Sequence, residues 1–136
     1  MVKSIIAVVL AVLLAGVVIA AVQLVNTQIF PLPPGVDFND REAMSRAVSS
    51  MPAGGFVLLL LSYTLGALAG GWLAARMAPR RPLLHAMIVG VLLLAAGVMN
   101  FVSIPHPLWV TVLGLLIFLP MAWLGASLAR PRSAAV

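Results

Sequence analysis

Four stretches of this chain, roughly 5–25, 55–75, 83–103 and 108–128, each run 21 residues without a single Asp, Glu, Lys or Arg. As helices, at about 1.5 Å per residue, each would be about 31 Å long, the thickness of a bilayer's hydrocarbon core. The composition closes off the alternative of a water-soluble fold. The 136 residues are 63% hydrophobic and 8% charged, with mean hydropathy +1.18. A soluble domain of this size buries only about two-thirds of its surface and cannot hide so much apolar area. The expected fold class is therefore all-α: an integral membrane four-helix bundle forming one domain over residues 1–136, with the lipid bilayer as its first partner.

Lys3 before the first run resembles the start of a signal peptide. The run exceeds the usual h-region of about 7–15 residues, and no clear small-x-small site precedes a polar start. It reads as a retained helix.

Orientation follows from Arg and Lys. Lys3 precedes span 1, Arg76, Arg80 and Arg81 lie between spans 2 and 3, and Arg130 and Arg132 follow span 4. All six fall on one side if four helices alternate. The other side receives the loop 26–54, where Asp37, Asp40 and Glu42 accompany Arg41 and Arg46, and the uncharged loop 103–107. Both termini are expected in the cytoplasm of a bacterial inner membrane. The net charge of +5 then reads as topology and lipid contact. No basic stripe interleaved with aromatics supports nucleic acid as a partner.

Two stretches share a pattern: "NTQIFPLP" at 26–33 and "NFVSIPHP" at 100–107, both Asn-x4-Pro-x-Pro. At this offset of 74, Gly16-Val17 meets Gly90-Val91. "GWLAAR" (71–76) also resembles "AWLGAS" (122–127) at an offset of 51. The pattern suggests two duplicated helical hairpins, spans 1–2 and 3–4, with about 23 residues added to the first outer loop. Parallel copies would be related by a twofold axis along the membrane normal. The prolines stop spans 1 and 3 at the outer surface. Asn26 and Asn100 are expected to satisfy carbonyls at the ending helices, the alternative being a contact between the two amides.

Within the outer loop, Asn39 and Glu42 form a capping box for a short surface helix over about 40–50. Ala43, Met44, Ala47, Val48 and Met51 recur on one face, with Arg41, Ser45, Arg46 and Ser49 opposite. This helix either packs on the bundle or lids a site.

Small residues every four positions let lipid-embedded helices approach closely. Span 2 has two such rows, Gly66-x3-Gly70-x3-Ala74 and Ala67-x3-Gly71-x3-Ala75, and should be the most buried helix. Pro120 should kink span 4.

The residues for chemistry are missing. With no cysteine, disulfides and thiolate metal sites are excluded. His85 and His106 fall on opposite sides of the membrane and cannot share a haem or metal. Ser62, Tyr63 and Thr64 have no acid or base beside them, and Asp37, Asp40 and Glu42 read as surface charges. Coupled transporters and pumps usually keep an ionisable residue in the membrane. Four spans in a short chain resemble the small multidrug resistance transporters, but those depend on a glutamate buried in span 1, where this chain has only Gln23 near the outer end. No enzymatic activity and no cofactor or metal is expected.

The stretch "GALAGGWLAARMAPRRPLLHAMIVGVLLL" (66–94), a Gly-rich helix ending in Arg, a basic turn, then His and an apolar helix, resembles small uncharacterised four-helix bacterial inner-membrane proteins. The resemblance implies location and fold and no activity. The function expected is that of an assembly or accessory subunit, in a homo-oligomer or a larger membrane complex. The alternative is a small facilitator or channel.

Overall fold

The structure, a computed structural model, describes residues 1–129, where helix is the one regular secondary structure. Arg130 and Arg132 lie outside the described residues. The five helices are α1 (Val2–Ile29), α2 (Arg41–Ser49), α3 (Ala53–Met77), α4 (Pro82–Ser103) and α5 (Leu108–Ala129). All but α2 are long and apolar enough to cross a membrane, so the chain is a multi-pass membrane protein.

The first span is longer than its apolar run, 28 residues rather than 21. Asn26 and Thr27 do not stop it, because each finds a local partner: Asn26 Nδ2 donates to Gln23 Oε1 at 3.0 Å, and Thr27 Oγ1 to the Leu24 carbonyl at 2.9 Å. The helix ends at Phe30, which Pro31 forces out of the helical region (φ −124°, ψ 71°). Helix α4 ends the same way, with Ile104 extended before Pro105 (φ −119°, ψ 111°). In both, the asparagine carbonyl accepts the last helical N–H, Phe30 N to Asn26 O and Ile104 N to Asn100 O, each at 2.8 Å. The repeated motif thus builds one helix stop twice.

The hairpin pairing does not follow the expected twofold. Helix α3 packs on α1, α4 and α5, and α4 packs on α5 and more lightly on α1, whereas among the described residues α1 and α5 share no comparable contact. A twofold exchanging α1 with α4 and α3 with α5 would convert the α3–α4 contact into an α1–α5 contact. The order around the bundle is α1, α3, α5, α4, which sets the second hairpin beside the first in the same sense. At the α3–α5 crossing Gly71 lies against its offset-51 counterpart Ala122.

The core is made of small residues and a few rings. Ala7, Ala11 and Ala15 of α1 are fully buried, and α3 buries Gly66, Ala67, Gly70, Gly71 and Ala74. At Gly71 an added Cβ would fall on the backbone of Ala122, and at Gly125 on the carbonyl of Leu68, so α3 and α5 touch main chain to main chain. Gly70 is looser: its Cβ would meet Ala15 Cβ and Val89 Cγ1, both at 3.1 Å. Helix α5 runs through Pro120, which sits on an exposed face.

The two ends of the bundle differ. At one, the α3–α4 turn places Arg81 in the left-handed region (φ 51°, ψ 60°) directly before Pro82, the first residue of α4. At the other lies α2. Its N-cap is Asp40, one residue later than the expected Asn39. Asp40 Oδ1 accepts from Glu42 N (2.9 Å) and Ala43 N (3.2 Å), while Asn39 N is engaged by Asp37 Oδ1 at 2.9 Å. Glu42 instead pairs with Arg46, 2.9 Å away and exposed, an i,i+4 contact worth about 0.3–0.5 kcal/mol. Met44, Ala47 and Val48 are buried against the bundle.

Candidate functional site

Beneath α2 the helices do not close. A cavity of about 400 Å3 lies there, within the range of about 300–1,000 Å3 typical of small-molecule sites. Its roof is Met44, Val48 and Met51. Its back wall is Leu59 and Tyr63 of α3, and its sides are α1 (Ile19, Gln23, Asn26) and α4 (Leu93, Gly97, Asn100). Two lining residues are exposed on the outside of the bundle, Thr27 of α1 and Ala96 of α4, which places the mouth between those lightly packed helices.

The floor is Phe118. Its ring is 1% exposed, lies 5.1 Å from the Tyr63 ring, and fills the space left by Gly97, where a Cβ would meet Phe118 Cε2 at 2.5 Å. Below it the interior is filled by Ala11, Ala15, Val89, Gly70 and Ala122, all buried. The cavity is blind.

No charged side chain lines it. Its polar groups come from three helices and one turn. Asn26 is 5% exposed, and its Nδ2 donates to Gln23 Oε1 (3.0 Å) and to the Gly55 carbonyl of α3 (3.1 Å). Because the Gly55 carbonyl can only accept, the amide orientation is settled by chemistry, with the nitrogen toward α3. Asn26 Oδ1 is then buried with no partner among the described residues. Leaving a buried acceptor unpaired costs about 1–3 kcal/mol, so such atoms call for an explanation. On the opposite wall Asn100 Nδ2 donates to Tyr63 Oη at 2.9 Å.

His106, in the turn between α4 and α5, is the turn's contribution to the lining. Its ring is packed edge-on against Phe101 (5.1 Å) and Phe56 (6.4 Å). Nδ1 lies 2.6 Å from the Ile104 carbonyl and donates to it, which leaves Nε2 an acceptor. Burial pushes the imidazole pKa below its ordinary value, the Ile104 hydrogen bond opposing only in part. The shift favours the neutral ring, which adds no charge to the lining.

The sequence candidates distribute unevenly over this site. Asn26 and Asn100 both reach it, neither capping a helix through its side chain nor touching the other: each amide bonds to α3. Gly66, Gly70 and Gly71 lie deeper, in the helix contacts. Pro120 is outside. Ser62 and Thr64 contribute nothing to the lining, because their hydroxyls bond back to the Leu59 and Leu60 carbonyls at 2.6 and 2.8 Å. Asp37, Asp40 and Glu42 are each engaged as described, and no cluster that could hold a metal occurs among the described residues. Tyr63 and Phe118, which line the cavity, and Gly125, which sits in a helix contact, are the residues that the spacing rules passed over. Gly125-x3-Ala129 and Ala122-x3-Ala126 on α5 obey the same four-residue rule that singled out α3.

Comparison with family models, with characterised proteins and with solved structures finds no match to this chain.

Proposed function

We propose that the chain is a non-enzymatic membrane subunit that works by binding. Its ligand is a neutral amphiphile that enters from the bilayer between α1 and α4 and donates a hydroxyl or amide hydrogen to Asn26. The buried, unpartnered Asn26 Oδ1 carries this reading. An uncharged, apolar lining suits a lipid-like body, and the buried orphan acceptor asks for one donor. The blind floor favours binding over conduction, which sets the channel alternative behind the accessory-subunit one.

A matched pair of ligands tests it. Decanoylglycerol carries two hydroxyl donors, and methyl decanoate carries none. Satisfying a buried acceptor is worth about 1–3 kcal/mol, so decanoylglycerol should bind roughly tenfold tighter or better in equilibrium titrations of the purified protein. Asn26→Leu, similar in volume, should erase the difference. Equal affinities for the two ligands in the wild type would remove the basis of the proposal.

The orientation belongs to the same reading. Lys3, Arg76, Arg80 and Arg81 gather at the end away from α2, and all three acidic residues sit at the α2 end. The positive-inside rule then puts both termini in the cytoplasm of a bacterial inner membrane and the cavity in the outer leaflet. The chain has no native cysteine, so labelling is clean. Ser45→Cys should react with an impermeant maleimide on intact cells, and Ala78→Cys only after lysis. The reverse pattern would invert the topology.

A further inference from the structure

We infer that the end of the bundle away from α2 carries a second binding site, for the phosphodiester headgroup of an acidic phospholipid. A hollow of about 760 Å3 opens there between the start of α1 and the α3–α4 turn, lined by Lys3, Ser4, Arg80, Arg81 and His85. Three of these carry fixed positive charge, and nothing in the chain's side chains balances them. Its only three carboxylate side chains, Asp37, Asp40 and Glu42, are at the far end, and Arg46–Glu42 is the one ion pair among the described residues.

The backbone holds the cluster in place against its own preference. Arg81 is the only non-glycine residue with positive φ among those described, a conformation that costs a residue with a Cβ about 1–2 kcal/mol. Around that residue the turn is tied down. The Arg81 carbonyl accepts from Leu84 N at 3.0 Å and from His85 N at 3.4 Å, and His85 Nδ1 donates to it at 3.1 Å. His85 itself is 8% exposed. Strain held by surrounding contacts is a mark of a functional turn, and here it fixes two arginines at the hollow that Lys3 reaches from α1.

A lipid fits better than a free anion because of what borders the hollow. Ile5 and Ile6 of α1 and Leu84 and Ile88 of α4, each within about one turn of a lining residue, are exposed, where acyl chains attached to the headgroup would lie. A free phosphate gains nothing from that surface. Guanidinium groups match phosphate oxygens in pairs, and basic hollows between spanning helices are suited to anionic headgroups.

Native mass spectrometry of the full chain in mild detergent tests the site, with phosphatidylglycerol and phosphatidylcholine offered at equal concentration. Phosphatidylglycerol should be retained at least tenfold better. Lys3→Gln and Arg80→Gln should each weaken that retention roughly fivefold, and Arg81→Asn, which keeps a residue tolerant of the left-handed turn, should do the same. Arg41→Gln at the α2 end should have no effect, and millimolar inorganic phosphate should not compete. Three results would each overturn the proposal. They are equal retention of the two lipids, displacement by inorganic phosphate (a free-anion site), and an Arg41→Gln loss matching that of Arg80→Gln. The two-lipid arm uses the unaltered protein and stands whether or not a variant folds.

Discussion

Gly71→Leu is expected to cost the bundle at least about 3 kcal/mol, the upper end of what overpacking does in a core that can shift. This one cannot shift cheaply. The obstacle is the backbone of Ala122, not the tip of a flexible side chain, and making room means parting α3 from α5. Gly125→Leu, which meets the Leu68 carbonyl and Trp72 N from the other side, should cost as much. Gly70→Leu should be milder, since part of its surroundings is the side chains of Val89 and Ala15. Gly16→Leu should be close to neutral, because nothing lies within 4 Å of its Cβ position. Reversible unfolding in mixed micelles would rank the four. A Gly16 loss equal to that of Gly71 would mean that α1 and α3 have been assigned the wrong contact faces.

Phe118→Ala should cost about 2 kcal/mol and deepen the cavity. In a water-soluble core such a truncation runs about 3–5 kcal/mol, but part of that is transfer of the ring from water, and lipid is nearly as apolar as the core. What remains is lost packing. About 100 Å3 of missing side chain at about 24 cal/mol per Å3 gives about 2.4 kcal/mol. The same variant adds the volume of the lost ring to the cavity above, so it should accept a longer acyl chain on the glycerol ligand than the wild type does. Unchanged stability together with unchanged chain-length preference would show that Phe118 is not the floor.

The spans were legible because their physics is local. A run of about 21 apolar residues without charge can satisfy its backbone in lipid only as a helix. Proline signals were equally plain: Pro31 and Pro105 each throw the preceding residue out of the helix, and the chain obeys at Phe30 and Ile104. The N-cap of α2 was missed by one residue because Asn39 and Asp40 are comparable caps. The choice falls to Asp40 because Asp37 has already engaged the Asn39 N–H. The small-residue rows on α3 showed close contact but not its partner, and the main-chain contact with α5 came from Gly125, on a row of the same kind.

The cavity was not legible. Its polar groups stand far apart in the chain: Asn26 bonds across to Gly55, and Asn100 to Tyr63, 29 and 37 residues away. In an apolar helix facing lipid, no polar stripe marks which side turns inward, so neither asparagine announces its partner. The hairpin arrangement was hidden for the same reason. A sequence repeat records where helices start and stop, whereas the order α1, α3, α5, α4 is decided by which small faces meet.

The acceptor itself can be watched. The chain has three asparagines, Asn26, Asn39 and Asn100, few enough to assign by substitution. Solid-state NMR of the protein in bilayers would follow the side-chain carbonyl carbon of Asn26 as decanoylglycerol or methyl decanoate is added. The expected result is a shift at Asn26 with decanoylglycerol alone, saturating with occupancy, while the exposed Asn39 stays still. An Asn26 resonance that ignores both ligands, or moves equally with both, would contradict a site built around that one unpaired oxygen.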